Sequence, residues 1–237
     1  MNIINKKPNK ICLNIETNES LANAIRRHVN EIYVVAIDEV EISKNDSALY
    51  DETVAHRIGL IPLKMPKSFK ADAEEKLKIK YKKAGIVYSG ELKGNVEVVY
   101  DKIPITLLKE DQELNLTATV RLGKGKDHSK FSPGLMYYRN ICEITLNKKF
   151  TSEFQKKFPN KITEKGDKII LEDNLERPVI DFCEGISIRN KENVEIKEKE
   201  GLILDIESFG QISPDEIFMK ATDILKKNLN ELSKHLK

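Results

Sequence analysis

The sequence predicts an α+β protein: a discontinuous domain, a sheet with two amphipathic helices drawn from both chain ends, carrying an inserted, mostly β domain. Three observations lead there. Near each end, an alternating apolar run feeds a helix-period stripe. Between the ends, short alternating runs dominate and helical periodicity is scarce. Separated ends can complete one core while the middle folds apart. The boundaries read as residues 1–43 plus 196–237 for the discontinuous domain and 44–195 for the insert, with a small excursion at about 149–183.

Lys10 to Thr17 alternates, with Ile11, Leu13 and Ile15 on one side, and predicts a strand. Asn18 is placed to cap a helix whose stripe is Leu21, Ala22, Ile25, Val29 and Ile32, leaving Arg26, Arg27 and Asn30 on other faces. Tyr33 to Ile42 is dense in β-branched residues and predicts a second strand. Asn45 and Asp46 break it. Asp51 to Gly59 predicts a short helix, with Asp51 as cap and Gly59 as stop. Leu60-Ile61-Pro62-Leu63 must be extended, because the residue before a proline is pushed out of helical geometry.

Lys64 to Ala73 reads as a lysine-rich loop. Strands are expected around Leu77 to Tyr81, Val87 to Leu92, Val96 to Val99, Ile103 to Leu108, Leu114 to Leu122 and Ile141 to Leu146. Gly123 to Lys130 is a glycine-rich basic loop. It lacks the GxxxxGK[ST] spacing of a phosphate loop, so it reads as an exposed contact loop. Phe131, Tyr137 and Tyr138 suit either a small core or a contact. Lys148 to Arg177 is polar and reads as an irregular or small helical excursion. A turn at Asn190 to Asn193 precedes a strand at Gly201 to Glu207.

The last element is the most legible. Ser213 can cap, Pro214 occupies the first turn where no amide hydrogen is needed, and Glu216 completes a capping box. Asp215 complements the helix dipole. Ile217, Ala221, Ile224, Leu225, Asn228, Leu229, Leu232 and Leu236 then recur at three- and four-residue spacing. This is about six turns, roughly 30 Å, with one apolar stripe that needs a surface to lie on.

Composition narrows the function. The 237 residues carry 40 basic and 38 acidic side chains, a formal net charge of +2. A backbone-binding nucleic-acid protein usually shows a strong basic excess. No apolar run reaches the roughly 18 residues of a membrane span, and Met1 to Lys10 has no signal core, so a cytoplasmic location and no membrane partner are expected. Cys12, Cys142 and Cys183 are scattered and odd in number, which makes neither a disulfide framework nor a metal knuckle. His56 beside Asp51 and Glu52 lacks the HExxH arrangement of a metalloenzyme.

Four stretches together resemble a known family: NESLANAIRRH (Asn18 to His28), DETVAHRIGLIPL (Asp51 to Leu63), GKGKDHSKFS (Gly123 to Ser132) and IESFGQISPDEIF (Ile206 to Phe218). They are similar to the archaeal Rpo3 family of DNA-directed RNA polymerase, within the bacterial alpha and eukaryotic Rpb3-like group. The blocks keep the family's order and span nearly the whole chain.

The resemblance implies a non-catalytic scaffold in a nucleotidyltransferase complex, with an alpha-like dimerisation domain. It implies pairing with the small alpha-like subunit L (Rpo11), then joining of subunits N (Rpo10) and P (Rpo12) and the large catalytic subunits. DNA would be met only through the complex. By the family pattern, Leu21, Ala22, Ile25 and Val29 form the first interface helix. Ile217, Ala221, Ile224, Leu225, Leu229 and Leu232 lie on the long terminal one. Arg26, Arg27, His56, Arg57, Lys124, Lys126, His128 and Lys130 are expected at other subunit contacts.

One departure bears on cofactors. Some relatives hold an iron–sulfur cluster or zinc in the excursion, and such sites need four ligands. Here about Lys149 to Glu195 keeps only Cys183, with Cys142 just before it. No metal, cofactor or catalytic residue is therefore expected. The alternative, a stand-alone nucleic-acid-binding or small enzyme-like protein, would have to use the lysine patches at 64–83 and 124–130 or the Asp51, His56, Arg57 group.

Overall fold

The computed structural model describes residues 1–70, 73–157, 162–172, 179–190 and 194–236. The chain divides into two compact units, Met1–Asn23 with Tyr137–Asp205, and Ala24–Met136 with Ile206–Lys237. It is an α+β structure built on antiparallel strand pairs.

The first unit is built on a six-stranded sheet. Its elements are β1 (Asn2–Lys7), β2 (Lys10–Ile15), β8 (Gly134–Asn147), β9 (Ile162–Lys165), β10 (Lys168–Glu172) and β11 (Glu195–Ser208), in the order β1-β2-β11-β8-β10-β9. β2 buries Ile11, Leu13 and Ile15, as its alternation required, and Cys12 as well. β1 pairs with β2 from Asn2↔Asn14 to Lys7↔Lys10. The polar reading of Met1 to Lys10 missed it, because an outermost strand meets water and needs no apolar alternation.

The expected irregular excursion has its own core. Within it lie α3 (Thr151–Lys157), β9 and β10, followed by α4 (Ile180–Asn190). Ile144, Leu146, Ile169, Leu171, Val179, Cys183 and Ile186 cluster at 0–2% exposure. The β9–β10 hairpin turns at Gly166, whose φ of 61° is open to glycine at little cost. Residues 158–161 and 173–178 of this stretch, and 191–193 of the expected Asn190 to Asn193 turn, lie outside the described residues.

The second unit centres on a three-stranded sheet, β3 (Tyr33–Asn45), β7 (Leu114–Lys124) and β4 (Glu75–Tyr81), with β7 in the middle. Leu114, Leu116, Ala118 and Val120 alternate inward at 0–1% exposure, opposite Leu77 and Ile79 on β4. α2 (Asp51–Gly59) covers β3 with the fully buried Val54 and Ile58. Asp51 is not the cap: Tyr50 holds that position without a side-chain bond. The Asp51 carboxylate instead accepts from Asn45 Nδ2 at 2.8 Å.

Two further strand expectations need correction. The run at Val87 to Leu92 splits into β5 (Gly85–Tyr88) and a 3-10 turn at Ser89–Glu91. Ser89 Oγ donates to Tyr100 O at 2.5 Å and accepts from Ile103 N at 3.1 Å, which draws the backbone off the strand path. Val96 to Val99 is reduced to one bridge, Leu63↔Val98. β5 pairs with β6 (Pro104–Leu108).

α1 (Glu19–His28) starts in the first unit and ends in the second, with Asn18 Oδ1 accepting from Leu21 N at 2.8 Å as the expected cap. α5 (Pro214–His235) ends the second unit, and Ser213 Oγ accepts from Glu216 N at 3.3 Å.

Candidate assembly interface

α5 lies against the 3-10 turn Val29–Glu31 through its first two turns. Ile217 and Ala221 are fully buried, and Val29 is 3% exposed. His28 fastens the helix further along: its Nδ1 donates to Ala24 O at 2.7 Å, and its Nε2 accepts from Asn228 Nδ2 at 3.1 Å. Past Ala221 the stripe rises to the surface. Ile224 and Leu225 are half-buried, while Leu229 and Leu232 are 55% and 54% exposed. The same helix face thus begins as core and ends uncovered.

The remaining expected site residues fall into three groups. On α1, Ile25 is buried in the second unit, and Arg26 and Arg27 are exposed there; Leu21, 45% exposed, and the buried Ala22 belong to the first unit. On α2, His56 is exposed, and Arg57 donates from Nη1 to Ile105 O at 2.8 Å. Arg57 also lines a cavity of about 590 Å³, at which the buried Thr106 hydroxyl has no hydrogen-bond partner. In the basic loop, Lys126 and His128 are exposed, and Lys124 Nζ sits 4.5 Å from the Tyr33 ring centroid.

Lys130 is different. Its side chain is 14% exposed, and its ammonium meets Asp38 Oδ1 at 2.5 Å. Arg121 Nη1 joins the same carboxylate at 3.0 Å and reaches Glu39 at 2.9 Å. The hydrogen bond from Lys130, then its charge and that of Arg121, hold the Asp38 carboxyl below its usual pKa against the opposing effect of burial. Sequence reasoning missed Asp38 and Arg121, because nothing local ties residues 38, 121 and 130. Only the β3–β7 register, with Ile37↔Val120 and Glu39↔Thr119, brings them together.

Three of the quoted stretches converge. Leu60 and Pro62, Ser129 to Ser132, and Ser208 to Gln211 all contribute to one cavity of about 380 Å³. Main-chain bonds fix this junction: Val99 N donates to Pro62 O at 2.9 Å, Phe209 N to Pro133 O at 3.0 Å, and Met65 N to Gln211 O at 3.4 Å. Gly210 sits at φ 99°, and a Cβ there would lie 2.5 Å from Val99 Cγ1. The ESFGQISP pattern therefore demands glycine at that point for both backbone and space.

Among the described residues, no group of three or more His, Cys, Asp or Glu is arranged to hold a metal ion. The three cysteines are all buried and unpaired by disulfide. Among the described residues, no helix is long and apolar enough to cross a membrane.

Comparison with known proteins agrees with this arrangement. The family model "RNA polymerase Rpb3/RpoA insert domain" matches residues 35–144. DNA-directed RNA polymerase subunit Rpo3 of Pyrococcus horikoshii is 34% identical over 237 aligned residues, covering 91% of this chain and 90% of that protein. This chain belongs to the Rpo3 family. The Rpo3 subunit of Halobacterium salinarum is 31% identical across 90% of this chain and 87% of its own length. That of Thermococcus kodakarensis is 41% identical over a shorter stretch, 62% of this chain and 61% of the relative. Family membership makes the chain a subunit of archaeal DNA-directed RNA polymerase.

Proposed function

We propose that the chain is a non-catalytic assembly subunit. It pairs through α1 and α5 with the small alpha-like subunit L (Rpo11), and the pair forms a platform for subunits N (Rpo10) and P (Rpo12) and for the large catalytic subunits. In this reading residues 1–43 and 196–237 make the dimerisation domain and 44–195 the insert. The observation that carries it is the exposed distal stripe of α5. A well-capped helix that keeps Leu229 and Leu232 more than half exposed leaves apolar area for another surface. The partner supplies the matching stripe, in the manner of helix-to-helix docking.

The other expected site residues fit contact roles better than chemistry. His56 is exposed on one turn of α2, and Arg57 spends a donor on a main-chain carbonyl. Nucleotidyl transfer by two metals needs converging carboxylates, and this reading assigns them to the large subunits.

Replacing Leu229 by Asp tests the seam. A carboxylate placed in an apolar interface costs roughly several kcal/mol. Co-purification with the small subunit is expected to fail, while the thermal midpoint of the isolated chain stays put because Leu229 is exposed in it. Undiminished co-purification overturns the reading.

A further inference from the structure

The cavity at the junction of Leu60, Pro62, Lys130 and Gln211 has a feature that the scaffold role does not use. Gln211 is 7% exposed, and its side-chain oxygen is buried without a hydrogen-bond partner. Its backbone is held in place by the bond from Met65 N, so the carboxamide is anchored at the wall. Buried acceptors are normally satisfied, and one left open beside a cavity points to a group that arrives from outside.

The walls say what kind of group. Leu60, Tyr100 and Phe209 are large and 39–50% exposed around the opening, and Pro62 adds a rigid apolar side. Lys130 is the charged residue at the wall, and its ammonium is committed to Asp38 at 2.5 Å. An anionic ligand finds its cation already neutralised. A purely apolar ligand would leave the Gln211 oxygen unmet. A peptide group answers both conditions, since it is neutral and its N–H and C=O match the two arms of a carboxamide. The volume, about 380 Å³, lies near the lower end of ligand cavities and suits one bulky side chain with its flanking main chain.

We propose that this cavity receives an extended segment of a neighbouring polymerase subunit. A main-chain amide of that segment pairs with Gln211, and an apolar side chain seats between Leu60, Pro62, Tyr100 and Phe209. The proposal rests on the assembly role above but uses a surface other than the α5 stripe.

The test is photo-cross-linking in the complete polymerase, with a benzophenone side chain at position 209 in place of Phe209, and mapping of the adduct by mass spectrometry. The expected adduct lies in one short segment of another subunit, and the same probe at Tyr88 does not label that segment. In parallel, Gln211→Leu removes the open acceptor with an apolar side chain of similar size. The isolated variant is expected to keep or raise its thermal midpoint, while the complex loses retention of the cross-linked subunit by about tenfold, the scale of one hydrogen bond.

An adduct confined to this chain overturns the proposal. So does a small molecule released from the cavity on denaturation, or unchanged retention with Gln211→Leu. If the variant folds poorly, the cross-link at position 209 decides alone. Failure of the α5 reading appears separately, as a Leu229→Asp chain that keeps its small partner whatever happens at Gln211.

Discussion

Asp38 takes Lys130 at 2.5 Å and Arg121 at 3.0 Å, joining β3, β7 and the turn at Ser129–Phe131. A carboxyl whose pKa is lower in the folded chain contributes stability above the ordinary carboxylate range, and loses it as pH falls through the lowered value. Urea midpoints of the native chain are expected to drop below about pH 4. An Asp38→Asn variant should be less stable at neutral pH and show a shallower acid decline. Cys12 has the opposite sign. Burial first, then the neighbouring Asp205 carboxylate, push its thiol up to about 11. Its contribution is full below the ordinary thiol range and is lost as pH rises toward that value. Cys12→Ala should flatten the alkaline decline between roughly pH 8.5 and 11. At Gly210, alanine would be strained at φ 99° and crowded by Val99. A loss of about 1–3 kcal/mol is expected by chemical denaturation.

At the scale of the element, α5 separates local from borrowed stability. Its start is local: Ser213 caps, Pro214 opens the first turn, and Lys220 pairs with Glu216 at 2.8 Å. Ser213→Ala should cost about 1 kcal/mol, read from denaturant midpoints. Its end has no such support within the chain, since Lys226 to Leu236 are exposed. Amide exchange is therefore expected to be slow around Ala221 and fast beyond Asn228 in the isolated chain, with the distal amides slowing once the small subunit is bound. Equal protection along the helix in the isolated chain would count against a seam there. α2 teaches a related point about caps. Its first-turn acids were legible, but Asp51 turned out to be bonded by Asn45 from the end of β3.

For the whole molecule, the excursion at 149–195 forms part of the first unit and has a core of Ile, Leu, Val and Cys side chains instead of a ligand set. Cys142 and Cys183 are 4% and 0% exposed within that core. Elemental analysis of the purified chain is expected to find iron and zinc below stoichiometric levels, and one iron or zinc per chain would contradict it. Apolar packing there does what a cluster of thiolates would do in a relative with more cysteines.

Short-range chemistry was readable before any coordinates. Strand alternation at Leu114 to Leu122, the helix at Asp51 to Gly59, the caps at Asn18 and Ser213 and the stripe of α5 are all set by neighbours within four residues. The motif blocks likewise carried the family. What lay beyond reach depended on partners far apart in sequence. The outer strand β1 needs β2 beside it, since its own residues are polar. The run at Val87 to Leu92 bends because Ser89 bonds Tyr100 and Ile103. Lys130 looked like a free contact charge until strand register set Asp38 against it. The sequence by itself determined the elements, the family and the need of the last helix for a surface. Tertiary structure alone decided which part of that stripe is core, which charges are already spent, and that Gln211 faces a cavity with its oxygen unmet, because each of these depends on contacts closed across the fold.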